Sequence, residues 1–144
     1  LAIAGGELLL IDESYNANPA SVAAALALLG AARPGKRGRR IAVLGDMLEL
    51  GDRSGELHAG LLAPLAEARV DLLFAAGPHM ERLWERVAPD QRGAYAARSE
   101  ELPEALLASL RPGDVVMVKG SLGSRMGPLA EAIRSAHPPI VKDA

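Results

Sequence analysis

The sequence predicts an α/β fold: a mostly parallel sheet between two layers of helices, entered through an N-terminal β-hairpin. Three observations predict it. Residues 39–45, 70–77 and 113–120 are apolar runs that do not alternate with polar residues, as strands buried on both faces require. Between the runs lie stretches with apolar residues at helical spacing. The two kinds of segment alternate along all 144 residues with no internal repeat or low-complexity linker, a length that suits one domain with a real core.

The elements follow in order. "LAIAGGELLLID" reads as two short strands joined at Gly5-Gly6. Residues 19–32 form a helix with Val22, Leu26 and Leu29 on one stripe, and Pro19 suits its first turn. "RRIAVLG" (39–45) is a short strand ending in glycine. Residues 54–68 form one helix through Leu57, Leu61, Leu62 and Leu65, with Ser54 as its cap. "VDLLFAAG" (70–77) is a buried strand, and residues 79–87 carry Met80, Leu83, Trp84 and Val87 on one helical face. "GAYAA" (93–97) is a weaker strand. Ser99 caps a helix running to Leu110, with Leu102, Leu106 and Leu110 inward. "GDVVMVKG" (113–120) is the strongest strand, and a last helix covers 125–136 with Met126, Leu129 and Ile133 inward. Residues 137–144, "HPPIVKDA", read as a loose tail. The whole is a three-layer, Rossmann-like sandwich.

Composition excludes several classes. Hydrophobic residues make up 49%, too many for a disordered chain. Aromatics are 3%, and the net charge is -2, so neither stacking platforms nor a global field supports a nucleic-acid module. The absence of cysteine excludes disulfide scaffolds and Cys-based zinc sites and fits a cytoplasmic setting. No apolar run is long enough to insert into a membrane. Leu1 opens a strand-like run with no initiator Met, which reads as a piece of a longer protein.

In open parallel sheets, ligands sit beyond the carboxyl ends of the strands, near the point where strand order reverses. Here those ends are followed by Asp12-Glu13-Ser14-Tyr15-Asn16-Ala17-Asn18, by Gly45-Asp46-Met47-Leu48-Glu49, by Ala76-Gly77-Pro78-His79 and by Lys119-Gly120-Ser121. Polar groups and glycines thus gather at one edge, where Asn and Ser can bond a base or ribose and Lys a phosphate or carboxylate. Two nucleotide motifs fail. "GAARPGKR" (30–37) places Arg37 where a P-loop needs Ser or Thr, and it runs from helix to strand, the wrong order. No G-x-G-x-x-G follows the first strand.

"LIDESYNANPASVAAAL" (10–26), "VLGDMLELGDRSGELHAGL" (43–61) and "VKGSLGSRM" (118–126) resemble the C-terminal domain of the Mur ligases, nearest to those that add D-alanyl-D-alanine. The resemblance covers nearly the whole chain, residues 1–144, in the right order. It implies an ATP-dependent amide ligase of peptidoglycan synthesis. An N-terminal domain would hold UDP-N-acetylmuramoyl-tripeptide and a central domain would hold ATP and magnesium; both are absent from this chain. In the family reaction ATP phosphorylates the peptide carboxylate, and the amine of D-alanyl-D-alanine displaces phosphate from the acyl phosphate. The fragment alone is expected to be inactive. A folate-glutamate ligase domain and a free-standing Rossmann-like binding module are the alternative readings.

The resemblance assigns Tyr15, Asn16 and Asn18 to the adenine and ribose side of ATP. It places Lys119 and Ser121 near the dipeptide or the transferred phosphate, with Lys119 the catalytic candidate and Asp46 a further substrate contact; no metal ligand is assigned. Family members often carry two aspartates where this chain has Asp12 and Glu13, and Arg-Ser where it has Leu122-Gly123, so that Arg125 is the arginine left to substitute. Structural roles compete with these. Asn16 and Asn18 can make turns and cap a helix, Tyr15 can pack, and Asp46 and Glu49 can cap a loop. His58 reads as a satisfied structural histidine. The run Arg33, Lys36, Arg37, Arg39 and Arg40 reads as a solvated loop that favours the preceding helix C-terminus.

Overall fold

The structure, a computed structural model, describes residues 1–14, 17–138 and 140. A two-stranded antiparallel hairpin, β1 (Ala2–Ile3) and β2 (Gly6–Glu7), leads into a five-stranded sheet: β3 (Leu9–Glu13), β4 (Arg40–Gly45), β5 (Leu72–Ala76), β6 (Arg92–Ala96) and β7 (Val115–Lys119). The strand order is β3-β7-β4-β5-β6, and every pairing is parallel. Helices α1 (Pro19–Ala31), α2 (Ser54–Ala59), α3 (Leu62–Glu67) and α4 (Glu81–Trp84) follow the first strands. Helices α5 (Pro103–Ser109) and α6 (Gly127–Ala136) flank β7.

The chain steps across the sheet in one direction from β3 to β6, then returns over β5 and β4 to insert β7. Crossovers of one hand place helices on opposite faces when the direction reverses, and the two cores agree. Leu26 and Leu29 of α1, Leu65 of α3 and Leu83 of α4 pack on Ala42, Leu44, Leu73 and Met117. Leu106 of α5 and Leu129 and Ile133 of α6 pack on Ile41, Val43, Phe74 and Val118. Alternate residues of each central strand therefore serve opposite cores, which is why these strands are apolar throughout.

Several expectations need correction. The hairpin turns at Ala4-Gly5, with Ile3 opposite Gly6 and Gly5 at φ 89°, and the run expected as its second strand divides. Gly6 and Glu7 pair with β1, whereas Leu9 onward joins the parallel sheet. The helix expected over 54–68 is two helices, broken at Gly60-Leu61. Neither Ser54 nor Ser99 caps: Ser54 is buried in the first turn of α2 against His58, and the Ser99 hydroxyl donates to the Arg125 carbonyl at 2.9 Å. Of the tail, the Pro138 carbonyl accepts the Ala2 N–H at 2.8 Å, while residues 139 and 141–144 lie outside the described residues.

The basic run is not uniformly solvated. Arg40 Nη2 does reach the carbonyl of Ala32, the C-cap of α1, at 2.9 Å. Arg39 instead grips the fully buried carboxylate of Asp114 through Nη2 at 2.8 Å and Nε at 3.2 Å, adding the Ser109 carbonyl at 2.5 Å. The loop that mimics a P-loop is docked at this amino edge of the sheet, with the Gly35 N–H on the Gly113 carbonyl at 2.9 Å.

Candidate functional site

Connections from neighbouring strands part to opposite faces at several points along the carboxyl edge of the sheet. At the first, α1 leaves β3 towards one core and α6 leaves β7 towards the other. Lys119, the last residue of β7, lies here and is 3% exposed. It stands opposite Glu13 in the parallel register, and its Nζ is 3.9 Å from Glu13 Oε2. A buried ammonium requires such a counter-charge. The neighbouring Asp12 faces the other core and binds Arg134 of α6 at 2.5 Å. Burial pushes the Asp12 carboxyl up, but hydrogen bonds from Ser14 and Arg134 outweigh it and hold the group below its ordinary value of 3.8.

Ser121 ties three loops together. Its N–H donates to the Asp46 carbonyl at 3.1 Å, and its carbonyl accepts the Ser124 hydroxyl at 2.6 Å. Its hydroxyl accepts the Leu48 N–H at 2.9 Å and donates to the Ala17 carbonyl at 3.3 Å. Asp46 is 4% exposed, and its carboxylate accepts the backbone N–H groups of His79 at 3.2 Å and Met80 at 2.9 Å. Gly77, at φ 109°, leaves room for this: a Cβ there would lie 2.4 Å from the Asp46 carboxylate. The space beside Gly120 is likewise taken, because a Cβ would meet Met126 Cγ at 2.5 Å and Ser124 Oγ at 2.6 Å. Gly120 therefore serves internal packing, not the close ligand approach that its place after a strand suggests.

A crevice lies where α4 and α5 part after β5 and β6. It is an open cleft of about 700 Å³ walled by Asp46, Leu48, residues 76–79, 97–101 and 123–125. Arg125 sits on its rim in a left-handed conformation (φ 58°), 76% exposed, with Glu100 3.8 Å away. On the opposite wall, the ring of His79 stacks on that of His58 with centroids 5.5 Å apart. His58 is fully buried. Its Nε2 accepts the Met47 N–H at 3.0 Å, so its Nδ1 carries the proton and donates to the Ser54 carbonyl at 2.6 Å. Burial pushes the pKa of His58 below 6.5, against the Ser54 bond and the Asp46 charge, which raise it.

The structure brings Asp46 and Ser121 into one hydrogen-bonded wall and joins Lys119 to Glu13. Asn18 is exposed and caps α1: its Oδ1 accepts the Ser21 N–H, and the Ser21 hydroxyl accepts the Asn18 N–H, both at 2.9 Å. Its carboxamide NH₂ is the part left for a ligand. Tyr15 and Asn16 lie outside the described residues. Reading by motif missed the roles of Glu13, Ser124 and the stacked His79, although Glu13 ends a strand and the other two lie in segments that follow strands.

A family model for the Mur ligase, glutamate ligase domain, matches residues 3–122. The chain belongs to that family. As a Mur ligase domain it is 40% identical to the UDP-N-acetylmuramoyl-tripeptide--D-alanyl-D-alanine ligase of Treponema pallidum, with 79% of this chain and 25% of the relative covered. It is 35% identical to the enzyme of the same name from Mycobacterium tuberculosis (strain CDC 1551 / Oshkosh), over 90% of this chain and 29% of the relative. The crystal structure of the MurF ligase from Thermotoga maritima in complex with ADP superposes with a TM-score of 0.73 at 27% identity, covering 90% of this chain and 28% of that one. MurF from Acinetobacter baumannii gives 0.73 at 28%, covering 94% and 29%. The chain thus spans between a quarter and a third of the length of these relatives.

Proposed function

We propose that the chain serves as the C-terminal domain of an ATP-dependent amide ligase that joins D-alanyl-D-alanine to UDP-N-acetylmuramoyl-tripeptide. The observation that carries this reading is the family match together with relatives of that name at 35–40% identity. The ligase would act in the cytoplasm and contribute through cell-wall synthesis to cell shape and division. Among the described residues no helix is long and apolar enough to cross a membrane.

In this reading the domain closes on two others. ATP and magnesium would be held chiefly by the central domain, and ATP would supply the phosphoryl group that activates the tripeptide carboxylate. This chain offers the nucleotide an edge from the β3–α1 loop: the Asn18 carboxamide, with Tyr15 and Asn16 by resemblance. Lys119, held at its post by Glu13, contributes positive charge where the transferred phosphate or the dipeptide carboxylate arrives. Ser121 and Asp46 use most of their hydrogen-bonding capacity internally, so they act by fixing the wall of the cleft against which the dipeptide lies. An acyl phosphate hydrolyses readily, and a closing domain keeps water from it.

The test uses the full-length protein with ATP, UDP-N-acetylmuramoyl-tripeptide and D-alanyl-D-alanine. Amide formation with release of ADP and phosphate is expected only when all three are present. Ligation of glutamate to a folate instead would establish the other ligase reading, and no ligation with either pair would leave a binding module.

A further inference from the structure

We propose that His79 is the proton acceptor for the incoming amine in the cleft after β5. The inference rests on the ligase reading above and adds a chemical role to a residue that the family motifs leave aside. An amine that enters as an ammonium ion has no lone pair and cannot attack. One proton must pass from the ammonium to the imidazole. The freed lone pair then forms the C–N bond at the acyl-phosphate carbonyl carbon, the bond from that carbon to the phosphate oxygen breaks, and the second proton of the amine leaves with the phosphate. The imidazolium afterwards returns its proton to water.

Elimination along the cleft wall points to His79. Both Asp46 carboxylate oxygens already accept backbone N–H groups. Glu100 faces Arg125, and carboxylates such as Glu101 are far weaker bases than an amine. The guanidinium groups of Arg98 and Arg125 never give up their proton. The hydroxyls of Ser99 and Ser124 donate to the carbonyls of Arg125 and Ser121. Imidazole is the side chain suited to take up a proton near neutral pH, and among the described residues that line the cleft His79 is the only histidine.

Its setting is built rather than incidental. The His79 N–H is fixed on Asp46, and its ring lies on His58. Two hydrogen bonds lock His58 as the neutral tautomer, so the inner ring supports the outer one without adding a charge. The groups facing His79 are Asp46 from the loop after β4 and His58 from α2. Glu81 lies on its own segment, Arg98, Glu100 and Glu101 follow β6, and Arg125 follows β7. The adjoining Tyr95 hydroxyl is committed to the Gly77 carbonyl at 2.8 Å.

The experiment is the pH profile of kcat in the full-length ligase for wild type, His79→Gln and His79→Asn, each checked by thermal melting. Near pH 7 both variants should lose about 5- to 10-fold in kcat, because only about a tenth to a fifth of an amine of ordinary pKa 7.7–8.0 is then the free base. The loss should shrink to less than about 2-fold near pH 9, where that amine is already the free base. The KM for D-alanyl-D-alanine should change little. A loss that stays constant across pH, a rise in KM at unchanged kcat, or no loss overturns the proposal while the ligase reading stands. A wild-type protein that forms no amide overturns both. Should one variant melt early, the other decides.

Discussion

Replacing Lys119 by methionine separates its charge from its stem, which packs with the rest of β7 in the interior. Lys119→Met in the full-length ligase should lower turnover by about 10- to 150-fold, the value of a charged hydrogen bond of ~1.5–3 kcal/mol formed in the transition state. Its melting temperature should stay near that of wild type. Normal turnover with an early melt would mark Lys119 as a structural charge paired with Glu13. Asp12 and His58 make a different prediction, for stability against pH. The folded pKa of His58 is lowered, so the unfolded chain binds its proton more readily, and stability falls as pH drops below about 6.5. The folded pKa of Asp12 is also lowered; its contribution is present above about pH 4 and disappears as pH falls through the folded value. Denaturant titrations should show two acid-side slopes, the upper absent in His58→Gln and the lower reduced in Arg134→Met. The position of Lys119 after a buried strand was legible in the sequence. Its partner was not, because nothing local in "DES" says which acid faces β7; the pleat decides, sending Glu13 to one core and Asp12 to the other.

Among the elements, the strands and the apolar stripes were legible because parallel strands and helices bury fixed periodicities. The caps were legible only where the chemistry was local. Asn18, Pro19 and Ser21 form a complete capping box within four residues, and Asn18→Ala should cost the isolated chain about 0.5–2 kcal/mol. If Asn18 also meets the nucleotide, the same change in the full-length ligase raises the KM for ATP and spares those of the other substrates. An unchanged ATP constant would leave it a cap alone. Ser54 failed as a cap because it lies inside the first turn of α2 against His58, and Ser99 because a distant partner, the Arg125 carbonyl, claims its hydroxyl. The glycines after strands are a related case. Gly120→Ala should destabilise the chain by about 1–3 kcal/mol through overpacking against Met126, and the same change should cost less when made in a Met126→Ala background. A neutral Gly120→Ala would show that the 121–126 loop yields freely.

At the level of the whole molecule, the edge that carries the candidate site and the edge that imitates a nucleotide motif lie at opposite ends of the sheet. The glycine-rich 30–37 segment is used up in packing on Gly113, so it forms no backbone cradle for a triphosphate. Calorimetry of this chain with ATP and magnesium should therefore show binding no tighter than about micromolar, since most of the attraction for a polyphosphate lies in such a cradle; a sub-micromolar constant would sink the idea. The fold class and the location of the polar edge were legible from the order of elements. The cleft was not, because its walls come from four strand ends whose adjacency depends on β7 being inserted between β3 and β4. That insertion has a consequence for synthesis on the ribosome. Leu9 finds its sheet neighbour in Val115, and Glu13 finds its own in Lys119, across almost the entire sequence. The first strand must wait as an unpaired ribbon until the last one emerges, and closing so long a loop is slow. Glu13 with Lys119, and Ala17 with Ser121, meet only at that final zippering. A nascent or prematurely stopped chain thus lacks the Glu13–Lys119 and Ala17–Ser121 contacts altogether.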